Sequence, residues 1–545
     1  MSALAPRMRW WGWGVDQDAM QLPDAAQAMI RDGLGAETSS APRVELDAIE
    51  LPASRLDRSL TEQIAAVVGP EHVRDDQLAR VSHAAGRSYP DLVRLRSGQV
   101  NGPDAVVYPA SHEEVRALLA ACSEAGLAVV PFGGGTSVVG GVDPQGGPFA
   151  AVVAVDLARM SGVLEVDEVS LLARVAAGTT GPELESTLGQ YGLTLGHLPQ
   201  SWEYITIGGA VATRSAGQAS TGYGRIDKQV LGLRLAAPAG ELDVKVQPGT
   251  AGPTPAVREL VVGSEGTLGI ITEATLAVHP LPDVRIYEGW SFRSFAAGVE
   301  AFRELEQTHA AGDVSRLSDE TETMLSLASA GQSGGPMAKL AQRYLKLRGH
   351  RDGCLAILGF EGDSDEAMER ANRARILLRS AGGLRLGTKP GAAWERQRFR
   401  APYLRDELMD RGVMVETLET ATTWANLPFL YAAVRDALRS ALGERSLVMC
   451  HVSHLYPAGA SLYYTFMAAQ ERGREIEQWR EAKTTACDAI VAAGGTITHH
   501  HAIGIDHVPW LRAEIGDTAI ELLRAAKARL DPRGIMNPGK LLPTE

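Results

Sequence analysis

Between residues 106 and 137, in VVYPASHEEVRALLAACSEAGLAVVPFGGGTS, the apolar positions change period twice. A short apolar run predicts a strand. Val115, Leu118, Leu119 and Cys122 then recur at helical spacing, in a helix opened by the Ser111/Glu114 capping box and closed by Gly126, and a second apolar run enters a glycine loop. Further strands are expected at AAVVAVDL, SLLARVAAGTT, QVLGLRLAAPAG and GIITEATLAVHP, with a helix at GPELESTLGQYG where Pro182 stands in the first turn. The pattern stops at HPLPDV. From there to residue 493, helical stretches (SDEAMERANRARILLRSAGG) mix with strand-like ones (CLAILGFEG, SLYYTFMAAQ), which predicts an α+β second domain. Residues 328–350 are rich in Gly and Ser and then basic, and read as a mobile segment. The tail ELLRAAKARLDPRGIMNPGKLLPTE reads as a helix ended by a Pro/Gly loop.

A chain of 545 residues exceeds one hydrophobic core, since domains split at roughly 250 residues. With 45% hydrophobic and 22% charged residues the balance is that of a globular enzyme, and the net charge of -13 opposes a basic surface for nucleic acid. Cys122, Cys354, Cys450 and Cys487 lie far apart with no C-x-x-C spacing, so reduced thiols in a cytoplasmic protein are expected. The start has no apolar leader core, and no run of about 18 apolar residues is present to span a bilayer. Contact with a membrane surface stays open.

PFGGGTSVVGG follows a strand, yet lacks the P-loop lysine and the third glycine of the dinucleotide fingerprint. It leaves a nest of backbone N–H groups suited to a pyrophosphate, or a plain glycine turn. PQSWEYITIGGAVATRSAGQASTGYGRI and VVGSEGTLGIITEATLAV add two more stretches where backbone must approach something closely. In this order the three resemble the FAD-binding domain of the vanillyl-alcohol oxidase family, of PCMH type, over residues 102–282.

The resemblance implies an α+β protein: a two-subdomain PCMH-type FAD-binding domain (102–282) and an α+β cap domain (283–493). An N-terminal extension (1–101) precedes them, and a C-terminal segment (494–545) completes the site. Pro131, Phe132, Gly133, Gly134, Gly135, Thr136 and Ser137 would wrap the FAD pyrophosphate. Gln200, Ser201, Thr206, Gly209, Thr213, Arg214, Ser215, Ala216, Glu265, Gly266, Thr267, Leu268, Gly269, Ile270 and Ile271 would line the rest, with Asn537 and Lys540 of NPGKLL. The first loop has no histidine to tether the flavin, so FAD is expected to be non-covalent.

THHHAIG puts His499, His500 and His501 side by side, with His507 shortly after. On a strand His499 and His501 would share a face, an H-x-H pair still short of a third metal ligand, and no metal is expected. HHHAIG, HVSHLYPAGASLYYTF, VSRLSDETET, APYLRDE and the opening RWWGWG together resemble the alkyldihydroxyacetonephosphate synthase family along nearly the whole chain. The resemblance implies exchange of the acyl chain of acyl-dihydroxyacetone phosphate for a fatty alcohol through a flavin N5 adduct, and a homodimer. Tyr463 would be the acid/base group, with His499, His500, His501 and Arg316 catalytic and Arg405 on the substrate phosphate. A phenol near pKa 10 is a poor base, so a positive or hydrogen-bonding neighbourhood is expected for Tyr463, with the histidines as its source.

Pro457 and Ser461 depart from the synthase pattern, where Asp and Cys are usual, and NPGKLL is closer to the 2-hydroxy-acid oxidases. A FAD-dependent D-2-hydroxy-acid dehydrogenase or oxidase is therefore the alternative, although His500 replaces the Glu of its Glu-His-Gly stretch and its Gly-Asp-Gly-Asn segment is missing. A silent flavin-binding protein is a third reading. Trp10, Trp11 and Trp13 read as packing. Lys339, Arg343, Lys346 and Arg348, interleaved with Leu340, Tyr344, Leu345 and Leu347, offer either a solvated helix face or a contact with anionic membrane.

Overall fold

The computed structural model describes residues 7–22, 24–36, 43–246, 255–330 and 343–543. The βαβ unit of the sequence is present: strand Ala105–Val107, helix His112–Ala125, strand Ala128–Phe132. The Ser111 side chain accepts the Glu114 N–H and Gly126 takes φ 65°, the left-handed value a glycine adopts without strain. Strand Val152–Asp156 lies between the two strands, parallel to both, and Val73–Arg74 adds an antiparallel edge. A second, antiparallel sheet runs in the order Val163–Asp167, Leu172–Ala176, Ile270–Ala277, Val230–Ala237, Gly240–Val244. One apolar core joins the two sheets, from Val107 and Val129 to Leu235 and Leu276.

The second half forms a seven-stranded antiparallel sheet, in the order Leu384–Gly387, Val284–Phe292, Cys354–Gly362, Val314–Ser318, Leu447–Tyr456, Gly459–Ala469, Val413–Thr423. Helices Phe295–Gln307, Ser364–Ser380, Leu427–Leu442 and Glu475–Ala492 cover one face and share its core with Val452, Leu462 and Phe466. The alternation of strand residues turns the other face toward the glycine loops.

Both ends of the chain tie the halves together. Near the N-terminus, Ile64 and Val68 enter the first core, whereas Tyr89, Leu92 and Leu95 enter the core of the cap sheet. At the C-terminus the Val129 N–H donates to the Ile535 carbonyl and the Asn537 N–H to the Val129 carbonyl, so the tail docks beside the glycine-loop strand. Lys339 and Leu340 lie outside the described residues.

Candidate active site

A cavity of about 430 Å³ lies between the glycine loops and the open face of the cap sheet. On the loop side, the backbone N–H groups of Gly133, Gly134, Gly135, Thr136 and Ser137 bond no other protein atom among the described residues. Five free donors in succession are the nest an anionic diphosphate requires. The loops are packed so closely that a Cβ on Gly133 would overlap the Thr206 hydroxyl and one on Gly134 the Tyr204 carbonyl. The donor set, the shape and the hydroxyls of Thr136 and Thr206 fit the pyrophosphate of FAD.

On the opposite wall the strand register places Ser318, His451, Tyr463 and Glu419 in one row across four strands. Their sequence neighbours Leu317, Val452, Leu462 and Leu418 point into the core. Arg316, two residues before Ser318, donates to His451 Nε2 at 2.9 Å and to Glu322 Oε1 at 2.7 Å. A guanidinium has only donors, so His451 Nε2 must be the acceptor, and the ring proton sits on Nδ1, 3.2 Å from Glu322 Oε1. Burial opposes the Glu322 charge, yet Arg316 and His451 hold its carboxyl well below the usual range. This triad is a fixed ion pair with no spare proton.

Tyr463 stacks on His451, ring centroids 4.9 Å apart, with the rings of His500 and His501 at 6.0 and 5.5 Å. Burial pushes its phenol up to about 12, with the Thr417 hydroxyl and Arg405 pulling the other way. Arg405, on helix Ala401–Met409, also lines the cavity. Its buried Nε has no partner, and no carboxylate forms a salt bridge with it among the described residues. Its charge is felt by buried Glu416, and a guanidinium facing the cavity without a salt bridge fits an anionic group.

The histidine run is not a strand. Residues 498–501 wrap around the carboxylate of Glu419, whose side chain is fully buried. Oε1 accepts from the Thr498 hydroxyl at 2.6 Å and from the N–H groups of His500 and His501 at 2.9 and 2.8 Å, while Oε2 accepts the His499 N–H at 2.6 Å. The strand alternation expected from sequence is thereby replaced: His500 and His501 line the cavity together and His499 turns away from it, toward Tyr456. Of the positive or hydrogen-bonding neighbourhood expected for Tyr463, the histidine rings favour the hydrogen-bonding form. Burial depresses His499 and His501 to about 3 and lowers His500, so the rings are neutral at physiological pH. His507 is buried, and its Nδ1–H donates to the Ala502 carbonyl.

Of the residues expected at the cofactor, Pro131 to Ser137, Gln200, Ser201, Thr206, Gly209, Thr213, Ser215, Ala216, Glu265, Gly266, Gly269, Ile270 and Ile271 line the cavity. Five others do not. Arg214 reaches outward to the Val262 carbonyl and Glu259, Leu268 packs in the core, and Thr267 bonds the Ser264 carbonyl. Asn537 bridges the Gly141 and Glu265 carbonyls and Lys540 holds the Asp143 carbonyl, both behind the lining. Glu265, pushed up to about 7 by burial, accepts the N–H groups of Ile503 and Gly504, fastening the segment after the histidines to the flavin loops.

Glu419, Glu322, His451 and His454 were missed. Each is a polar residue in an otherwise strand-like or helical stretch, and a carboxylate within VETLETATT was the one available signal for Glu419. Trp13, expected only to pack, lines the cavity with its Nε1 buried and unpartnered, while Trp11 lies under Arg43 and Arg9. His454 joins His499 and His500, one ring nitrogen of each within 4.8 Å of the others. His499 already uses both ring nitrogens, on Tyr456 and His500, so an ion there would have to displace one of those bonds.

A model of FAD binding domains matches residues 103–244, and one of FAD linked oxidases, C-terminal domain, matches residues 281–541. The alkyldihydroxyacetonephosphate synthase of Dictyostelium discoideum is 34% identical over 514 residues, 92% of this chain and 84% of that protein. That of Trypanosoma brucei brucei is 32% identical over 91% of this chain and 82% of its own. A solved alkyldihydroxyacetonephosphate synthase superposes with a TM-score of 0.85 at 30% identity, covering 98% of this chain and 99% of that one. With the glycine loops of an FAD site facing the Tyr463 row in a fold shared from end to end, the chain belongs to the alkyldihydroxyacetonephosphate synthase family of FAD-linked enzymes.

Proposed function

We propose that the protein exchanges the acyl chain of acyl-dihydroxyacetone phosphate for a fatty alcohol. The observation that carries this reading is Arg405: a guanidinium in no salt bridge among the described residues, in the same cavity as Tyr463 and the neutral histidines, is suited to the substrate's phosphate. The C–O bond between C1 and the acyl group breaks, the acyl group leaves as a carboxylate, the alcohol oxygen bonds to C1, and one proton is released. FAD, held non-covalently by Pro131 to Ser137 and the loops around Thr206 and Gly266, would supply an electrophilic ring for the ketone-phosphate carbon. No His, Cys or Tyr of those loops lines the cavity.

Tyr463 moves the proton at C1. As a phenol held near 12 it does not wait as a phenolate; it takes that proton as its own passes to neutral His501, whose ring centroid lies 5.5 Å away. The Arg316–His451–Glu322 triad fixes the ring on which Tyr463 stacks. Among the described residues no helix is long and apolar enough to cross a membrane. Met324, Leu327, Tyr344 and Leu347 are exposed, the last two interleaved with Arg343, Lys346 and Arg348, and we read them as a peripheral lipid contact of a cytoplasmic homodimer. Equal liposome flotation after charge reversal at the three basic residues removes that contact.

An anaerobic visible spectrum tests the main reading. Flavin bleaching by palmitoyl-dihydroxyacetone phosphate, reversed by hexadecanol as alkyl product and free fatty acid appear, is the expected result. Bleaching by D-2-hydroxy acids alone, with stable reduced FAD, would overturn it.

A further inference from the structure

The exchange releases a proton inside the cavity between the cap sheet and the glycine loops, and that proton has to reach solvent. Two histidines on the cap wall are unsuited to carrying it. His451 has both ring nitrogens committed, to a donor-only guanidinium and to a carboxylate, and His454 Nδ1 is held by the Ser220 hydroxyl at 2.6 Å. One chain of groups does lead outward. His500 lines the cavity, its Nδ1 lies 2.9 Å from His499 Nδ1, and His499 Nε2 lies 2.7 Å from the Tyr456 hydroxyl. Tyr456 is half-buried at the end of its strand, next to exposed Pro457 and Ala458, and its hydroxyl oxygen also meets the Arg225 guanidinium.

We propose that His500, His499 and Tyr456 form a proton relay from the active-site cavity to the surface. The proposal rests on the exchange reading. A neutral imidazole carries one N–H and one lone pair, so each member of the chain donates once and accepts once. With His500 Nδ1 turned to His499, Nε2 is the atom left for the reacting groups. When the attacking alcohol gives its proton to His500 Nε2, the Nδ1 proton of His500 passes to His499. The Nε2 proton of His499 then passes to the Tyr456 oxygen, and the Tyr456 hydroxyl proton leaves to water. No group carries a net charge afterwards. Burial keeps both imidazoles neutral, as such a shift requires, and Arg225 fixes the relay's backbone by donating to the His499 carbonyl at 3.0 Å. His499 and Tyr456 act through His500 and are relay residues; neither lines the cavity.

Stopped-flow of the holoenzyme separates the two halves of the reaction. Tyr456→Phe removes only the hydroxyl. Bleaching by palmitoyl-dihydroxyacetone phosphate, in which Tyr463 keeps its proton within the cavity, is expected at the wild-type rate. Recovery on adding hexadecanol is expected to slow on the order of 10-fold or more, with a larger D2O effect, and to be partly restored by added imidazole. His499→Asn, which cuts the chain one group earlier, should behave alike, and FAD content should be unchanged in both variants. Wild-type recovery in Tyr456→Phe, or a slow recovery that responds to neither D2O nor imidazole, overturns the relay alone. A wild-type enzyme that fails to bleach with the acylated ketone phosphate overturns the exchange reading, and the relay with it.

Discussion

Replacing Glu419 by Gln tests whether one carboxylate shapes the active site. Burial opposes its charge, and the hydrogen bonds it accepts offset that cost most while the acceptor is charged, so a neutral replacement weakens them. Four donors meet it in the wild type, three on Oε1 and one on Oε2. A glutamine whose carbonyl takes the Oε1 position keeps three bonds, now to a neutral acceptor, and turns its amide N–H2 toward the His499 N–H. An unsatisfied buried donor costs about 1–3 kcal/mol, and three charge-assisted bonds become neutral ones, so a total near 3 kcal/mol is expected. If the run shifts rather than unfolds, the correctly placed population falls about 100-fold. Single-turnover kinetics should show that drop at unchanged FAD content, with Glu419→Asp, which keeps the charge, in between. A Glu419→Gln enzyme within twofold of wild type would refute the reasoning.

Gly134→Ala should yield FAD-free protein, because its Cβ would overlap the Tyr204 carbonyl and the backbone there cannot give way; normal flavin content on purification would contradict this. Arg405→Lys, which swaps a fork for a point charge, should raise KM for the phosphorylated substrate on the order of 10-fold and leave FAD affinity alone, read by initial rates and flavin titration. His501 has a folded pKa of about 3 against 6.5 unfolded, a depressed value, so its stabilisation is whole above pH 6.5 and is lost as pH falls toward 3. By pH 5 that loss is about 2 kcal/mol, so the stability difference between wild type and His501→Asn should shrink by about that much from pH 8 to pH 5 in urea unfolding, and a constant difference would count against neutral burial.

The local pattern carried much of the first half. The period change at Ser111 and Gly126 marks real helix ends, and the glycine loops announce themselves because only glycine fits where the Tyr204 carbonyl and Thr206 close in. Tyr463, Arg316, Arg405, His500 and His501 were legible as candidates through motif resemblance, and all five line one cavity. Strand period says which residues of one strand share a face. It does not say which strands are neighbours, so the row Ser318, His451, Tyr463, Glu419 drew on four segments that no local rule connects. The sequence by itself determined the elements, the flavin loops and the chemical types in the site. Tertiary structure alone decided that the histidine run wraps a buried carboxylate instead of extending, that its rings are neutral, and that His499 faces Tyr456, because desolvation and the direction of a backbone N–H depend on what is packed around them.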